Sequence, residues 1–334
     1  MDNSFEYLVC TWCFTYNQAS YIQETLKGFL IQKTDFPVVN VIIDDASSDG
    51  EQDLLRRWAE ENLMLGNLHD VGSIQAYGDL LWGESRANKN TFYAIILLRE
   101  NLYQCGRNKE KFKIMSRWTE NSKYLAVCEG DDYWIDPLKL NKQVEVLETH
   151  PEIDMCSTAA IVIQDNVRIG KMAPVKYEGI IPGEEVIAGG GGFFSTNTLR
   201  YRSSLLTADI SCSKYIMLDY FLQIDGALRG GIYYLVDETA AYRRLAKNSW
   251  TSRMGRDNRK SYYHKRNVIS TLFQFNQDTH GSYSEVIYDV IDSDIFFMLE
   301  KGVLGGCFKK QISQMNLKRK IKYSFSILKG ILFS

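Results

Sequence analysis

Two pairs of neighbouring carboxylates, Asp44-Asp45 and Asp131-Asp132, are the residues of this chain best suited to chemistry. Each follows a short apolar run, Val38 to Ile43 and Tyr124 to Cys128, so each is expected at the carboxyl end of a strand. Ligands of open α/β sheets bind outside such ends, and both pairs should border one crevice. Adjacent carboxylates repel each other unless a cation or donors offset them, which suits an oxygen-preferring Mg2+ or Mn2+ bridging a diphosphate. A lone Asp-Asp at a strand end has a plainer use as a helix cap or Asx turn. Two pairs, with Glu129, Tyr133 and Trp134 beside the second, weaken that plainer reading. Tyr133 and Trp134 suit either a sugar platform or ordinary core packing.

Other reactive residues carry less. His69, His150, His264 and His280 are isolated in sequence. Cys10 and Cys13 form C-x-x-C inside a predicted strand, where an offset of three puts them on opposite faces; without a second pair they read as buried thiols rather than zinc ligands. No G-x-x-x-x-G-K-[ST] loop, no G-x-G-x-x-G after the first strand and no H-E-x-x-H occur. The seven cysteines are odd in number and scattered, and no secretory leader pattern precedes residue 30, so a reducing, cytoplasmic compartment is expected.

The elements that must hold the acidic pairs follow from periodicity. A strand over Tyr7 to Thr15 precedes a helix marked by Ile22, Leu26 and Phe29, and Ser48 with Glu51 forms a capping-box spacing before Leu54, Leu55 and Trp58. Residues 88–98 suggest a helix and residues 107–113 a charged, exposed insertion. Asp136-Pro137 starts a helix with Leu140, Val144 and Leu147 on one face, and Met155 to Ile163 forms another strand. Leu218 to Leu228 reads as a helix and Ile232 to Val236 as a short strand, with helices from about residue 257. Continuous apolar strands alternating with helices predict an α/β fold, a mainly parallel, Rossmann-like central sheet with helices on both faces.

Composition narrows the partners. With 334 residues and 45% apolar content, the chain can bury a large core. A net charge of −2 supplies no overall basic field, so no nucleic-acid partner is expected. No uncharged apolar run reaches membrane-spanning length. Residues 316–334 interleave Lys and Arg with Ile, Leu and Phe, which fits peripheral membrane contact and equally a helix docked on the domain.

Three ordered motifs carry a resemblance: Phe14-Thr15-Tyr16-Asn17; Ile42 to Gly50 around Asp44-Asp45; and Glu129-Gly130-Asp131-Asp132-Tyr133-Trp134 with Asp136-Pro137-Leu138-Lys139-Leu140. The chain resembles family 2 glycosyltransferases with the GT-A fold, of the bacterial polysaccharide type. Weaker similarity continues through Thr196 to Arg202, Leu218-Asp219-Tyr220 and Ala241-Tyr242-Arg243. The resemblance implies a GT-A domain over residues 1–250, with a nucleotide-binding half at 1–137 and an acceptor half at 138–250. A C-terminal helical extension with its basic and apolar tail follows at 251–334.

It further implies that Thr15, Tyr16, Asn17 and Asp45 hold base and ribose, with Asn90 in the region of a base contact. Asp131 is expected near the ribose or sugar, and Asp132 as ligand of Mn2+ or Mg2+. Asp219 matches the general base of an inverting transfer, though an N-cap role suits it as well, and Asp225 and Asp237 compete. Where the family often carries a His after Tyr-Arg, Leu245 stands here, so Arg243, Arg244 or Lys247 would meet the diphosphate. Trp250 would sit on a lid. The implied activity is metal-dependent hexosyl transfer from a nucleotide-diphosphate sugar to a glycan or lipid-linked glycan acceptor; were the basic tail to bind membrane, the site of action would be the inner face of the cytoplasmic membrane. Rivals are a nucleotidyltransferase and a non-catalytic nucleotide-sugar or glycan-binding module.

Overall fold

Aromatic, β-branched and thiol side chains fill both sides of the run Tyr7 to Thr15, and it becomes an interior strand. The structure, a computed structural model, describes residues 5–68, 72–212, 218–246, 258–300 and 321. The first part of the chain forms β1 (Tyr7–Thr15), α1 (Ile22–Leu30), β2 (Val38–Asp44), α2 (Glu51–Asn62), β3 (Leu63–Gly66), the single turn α3 (Gly72–Gln75), β4 (Gly78–Ser85), β5 (Thr91–Leu98), α4 (Lys109–Thr119) and β6 (Ser122–Val127). It continues with β7 (Tyr133–Trp134), α5 (Lys139–Thr149), β8 (Met155–Gln164), β9 (Val167–Met172), β10 (Gly179–Ile181), α6 (Gly183–Gly189), β11 (Arg200–Arg202), α7 (Asp219–Ala227), β12 (Ile232–Arg243), α8 (Asn258–Asp278) and α9 (Ser284–Glu300).

All the strands join one sheet in the order β10-β12-β8-β11-β6-β1-β2-β5-β4-β3, with β7 on β12 and β9 on β8. The middle four, β6-β1-β2-β5, are parallel. The flanks add antiparallel strands and one further parallel pair, β8 with β12, so the parallel centre expected from the apolar runs lies within a mixed sheet. Residues 86–90 join β4 to β5, a link too short for the crossover that a parallel pair requires.

Helices cover both faces of the parallel strands. Ile22, Leu26 and Phe29 of α1, Leu55 and Ala59 of α2, and Leu140, Val144 and Leu147 of α5 pack with Val9, Cys13, Ile42 and Ala126. On the opposite face Trp12 and Phe14 meet Phe112 of α4 edge-on at 6.1 and 5.4 Å. Cys10 and Cys13 are both buried and free, as expected from their spacing.

Three local expectations fail. Residues 91–98 form a strand rather than a helix, because their aromatic and β-branched side chains are buried between β2 and β4. Residues 109–113 open α4, and Lys111 is buried rather than part of an exposed insertion. The Ser48–Glu51 capping box does not form either: Gly50, with φ 91°, occupies the N-cap of α2, and the Glu51 carboxyl turns inward.

The described residues divide into two compact units. The first spans 5–68, 72–181, 192–208 and 226–246 and holds the sheet. In the second, residues 182–191, 209–212 and 218–225 group with α8 and α9. Within it Tyr220 donates to the Ile187 carbonyl at 2.6 Å, and Asp225 accepts from the Cys212 amide at 2.6 Å and from Ser211 Oγ at 2.8 Å. Lys247, Trp250 and, apart from Ile321, the tail at 316–334 lie outside the described residues. No described helix is long and apolar enough to cross a membrane.

The first unit contains a buried lysine at the start of α5. Lys139 donates to Gln143 Oε1 at 2.6 Å and to the Thr198 carbonyl at 3.3 Å, and burial, seconded by Arg200, pushes its ammonium from 10.5 down to about 7. Between those values the folded chain releases a proton that the unfolded chain keeps, so stability should rise with pH over that window and be lost as pH falls through about 7. Lys139→Met should abolish this rise; urea midpoints of wild type and variant that run parallel from pH 7 to 10 would refute the assignment.

Candidate functional site

Strand register sets which loops share an edge. Thr15 lies opposite Asp44, Asp44 opposite Leu97, and Trp12 opposite Val127. The residues after β1, β2, β5 and β6 therefore emerge side by side, and Thr15 stands at their middle. Its carbonyl accepts the Asp45 amide at 3.0 Å, while a Cβ built on Gly130 would lie 2.3 Å from its Oγ1. The second acidic pair thus meets the first across the end of β1.

The two acidic loops converge, but their carboxylates have separate partners. Asp45 is 2% exposed and forms an ion pair with Lys111 of α4 at 2.6 Å. It also accepts the amides of Leu102 and Tyr103 at 2.8 and 3.2 Å, and Asn101 Nδ2 donates to its carbonyl at 2.9 Å. Asp45 therefore ties down the chain that follows β5. Asp44 is buried deeper and accepts Gln52 Nε2 at 2.6 Å and the Ser47 amide at 3.0 Å; burial pushes its carboxyl above the usual aspartate range.

Asp131 and Asp132 are held from α1 and β12. The antiparallel pairing of Tyr133 with Ala241 brings Arg243 alongside the acidic loop. Its amide donates to Asp132 Oδ1 at 2.8 Å, and its guanidinium bonds the Asp131 carbonyl and Glu24. The guanidinium lies between two rings, 4.9 Å from Tyr21 and 4.8 Å from Tyr133. Thr25 Oγ1 donates to the Asp132 carbonyl at 2.6 Å. Arg243 is thus a strut of the acidic loop, with its guanidinium buried, and not an open phosphate contact as the sequence suggested.

The remaining expected residues separate. Asn17, with φ 53°, joins the loop after β1 to the loop after β2: its amide donates to Ser47 Oγ at 2.8 Å, and its Oδ1 accepts the Ser48 amide at 2.8 Å. Tyr16 Oη accepts from Gln104 Nε2 at 3.1 Å. Tyr133 is half-buried against Arg243. Trp134 is not a sugar platform: it is 1% exposed, packs on Phe29 at 4.9 Å and donates to the Asn197 carbonyl at 2.9 Å. Asn90 is misplaced as a base contact. It precedes Thr91, which pairs with Val38, and so lies at the amino edge, roughly 20 Å along the strand from Asp44. Asp219 opens α7 in the second unit and is exposed. Leu245 is half exposed, with φ 58°.

Sequence reasoning missed Lys111, Asn101, Glu24 and the buried Glu51. Only Glu51 carried a signal, its position directly after the acidic motif. Glu51 Oε2 accepts from the Gln18 amide and Ser47 Oγ at 2.8 and 2.9 Å, its Oε1 is hydrogen-bonded with Thr15 Oγ1, and burial pushes its carboxyl up to about 7. Among the described residues no three His, Cys, Asp or Glu side chains gather as a metal cage. The donor set at Asp131 and Asp132 instead fits a Mg2+ or Mn2+ that takes one or two carboxylates and completes its shell with phosphate oxygens and water.

Comparison with known proteins agrees with this geometry at the level of fold. No family model matches the chain. It is 31% identical over 239 residues to an uncharacterized protein of Mycobacterium bovis, Mb1547, and to its Mycobacterium tuberculosis counterpart Rv1520, an alignment covering 71% of this chain. The chain spans 59% of the length of these curated relatives. Among solved structures it is similar to TarS of S. aureus in complex with UDP-GlcNAc, with a TM-score of 0.54, 14% identity, and coverage of 97% of this chain and 80% of that one. It is also similar to the mannosyltransferase PcManGT of Pyrobaculum calidifontis in complex with GDP-Man and Mn2+, with a TM-score of 0.51, 12% identity, and coverage of 98% and 81%. The chain therefore has a mixed α/β fold shared with these glycosyltransferase structures.

Proposed function

We propose that this chain is a metal-dependent, inverting family 2 glycosyltransferase of GT-A type that moves a hexosyl group from a nucleotide-diphosphate sugar to a glycan or lipid-linked glycan acceptor in bacterial surface polysaccharide synthesis. The observation that carries the reading is the meeting of Thr15, Asp45 and the Asp131-Asp132 loop at the carboxyl edge of the parallel strands. The shared fold with structures holding UDP-GlcNAc and GDP-Man supports it. Residues 1–137 are the nucleotide half, 138–250 the acceptor half and 251–334 a helical extension, whose basic and apolar tail at 316–334 suits peripheral membrane contact and docking on the domain alike.

In this reading Asp45 orders a wall made of residues 101–104, and base and ribose lie between that wall and the Thr15–Asn17 loop. Asp131 faces the ribose or sugar, and Asp132 holds Mg2+ or Mn2+, oriented by the Arg243 amide. The cation, when bound, neutralises charge on the departing nucleotide diphosphate. Asp219 accepts the proton of the acceptor hydroxyl on the face opposite the leaving group, as inversion requires.

Two outcomes test the assignment. Asp132→Ala should lose Mn2+-dependent binding of nucleoside diphosphates by at least about a hundredfold while keeping its circular dichroism and melting curve; calorimetric titration with UDP and GDP measures it, and undiminished binding would end the metal role. Asp219→Asn should retain donor binding but lower kcat by about 10²–10⁴, the usual worth of a general base. The product released reads out the reaction class: a nucleoside diphosphate for sugar transfer, pyrophosphate for nucleotidyl transfer.

A further inference from the structure

Glu51 is fully buried beneath the site, yet it touches the loop after β1, which the proposed function assigns to the nucleotide, and the Ser47 loop that follows Asp45. Its Oε2 accepts the Gln18 amide at 2.8 Å and Ser47 Oγ at 2.9 Å, and its Oε1 meets Thr15 Oγ1. Ser47 Oγ in turn accepts the Asn17 amide at 2.8 Å. Thr15 Oγ1 also lies 2.9 Å from Gln18 Oε1. A hydroxyl has one proton and here faces two acceptor oxygens. Both contacts hold together when Glu51 carries a proton: Oε1–H donates to Thr15 Oγ1, and Thr15 O–H donates to Gln18 Oε1.

We propose that Glu51 is a proton-linked positioning residue of the nucleotide site, holding the Thr15–Gln18 loop and the Ser47 loop together as a carboxylic acid and loosening them when its proton leaves to solvent. The inference rests on the nucleotide assignment above. Its surroundings oppose ionisation in the main. Burial is the largest influence, and the Asp44 carboxylate of β2 adds to it, moving the group from 4.5 to about 7. Cys13 of β1 senses the Glu51 charge, and Asp49 at the entrance to α2 accepts the Glu51 amide at 3.2 Å. Against these act the donors Thr15, Gln18 and Ser47 and the amino end of α2, which favour the anion. The competing arrangement, Gln18 turned so that its amide group donates to Thr15, needs no proton on Glu51 and predicts no pH dependence.

The experiment is calorimetric titration of the full chain with UDP and with GDP in Mn2+ from pH 6.5 to 8.5, for wild type and Glu51→Gln. The Gln side chain supplies the N–H that the acid supplies. If only the protonated form binds, wild-type affinity should fall about twenty-fold over this range, and that of Glu51→Gln by no more than about twofold. Equal slopes overturn the inference, because titration of the nucleotide itself is common to both. Should wild type bind neither nucleotide, the nucleotide assignment fails, and unfolding then decides Glu51. The raised carboxyl stabilises the fold below about pH 4.5 and loses that contribution as pH rises through about 7, so wild type should decline relative to Glu51→Gln over this window. Coincident profiles refute the proton. If the variant does not fold, carboxyl ¹³C shifts of the unaltered chain decide: a buried glutamate must titrate between pH 6 and 8, and none doing so rejects the inference.

Discussion

The carboxyl edge of this protein depends on one close approach, the backbone of Gly130 lying against the side chain of Thr15. A Cβ at position 130 would intrude to 2.3 Å from Thr15 Oγ1 and 2.5 Å from Gln18 Oε1, so the acidic loop can reach the end of β1 only through glycine. The Gly130 amide fixes the approach by donating to the Phe14 carbonyl at 3.1 Å. From that contact follow the position of Asp131-Asp132, its pairing with β12 and its neighbourhood with Asp45.

Two buried cations then give the edge its rigidity. Lys111 holds Asp45 from α4, and Arg243 holds the acidic loop from β12. The Lys111–Asp45 pair, buried on both sides, adds little net stability because desolvation offsets its attraction, but losing one partner of such a pair typically costs ~3–5 kcal/mol. The effect of both cations is geometric: the acidic residues are oriented before any ligand arrives, the state in which a site spends least on reorganisation.

Much of this was legible in residue patterns, and what was not has a physical cause. The central strands could be read because Tyr7–Thr15, Val38–Asp44 and the run ending at Val127 are buried on both faces and so continuously apolar. β5 reads as a helix in sequence because Thr91–Leu98 is a short continuous apolar run, which periodicity alone does not distinguish from a buried helix. Asn90, named from the resemblance alone, lies at the amino edge of that strand, whereas Asn101, past its far end, reaches Asp45. The acidic pairs were found because chemistry and strand ends coincide in local sequence. Lys111, Glu24 and the rings around Arg243 were not, since these contacts join residues distant in the chain. Trp134 illustrates the same limit: an aromatic beside a site looks alike whether it faces a ligand or, as here, Phe29.

The central claim is that Thr15, Asp45 and Asp131-Asp132 border a single cation-dependent nucleotide site. Paramagnetic relaxation by Mn2+ with UDP or GDP on amide-labelled protein addresses it directly. The account predicts that the amides of residues 15–17 and 129–133 broaden first and together, with those of 101–104 next, and that Mg2+ with the same nucleotide leaves them sharp. Broadening centred elsewhere, or confined to one of the two acidic loops, would contradict it.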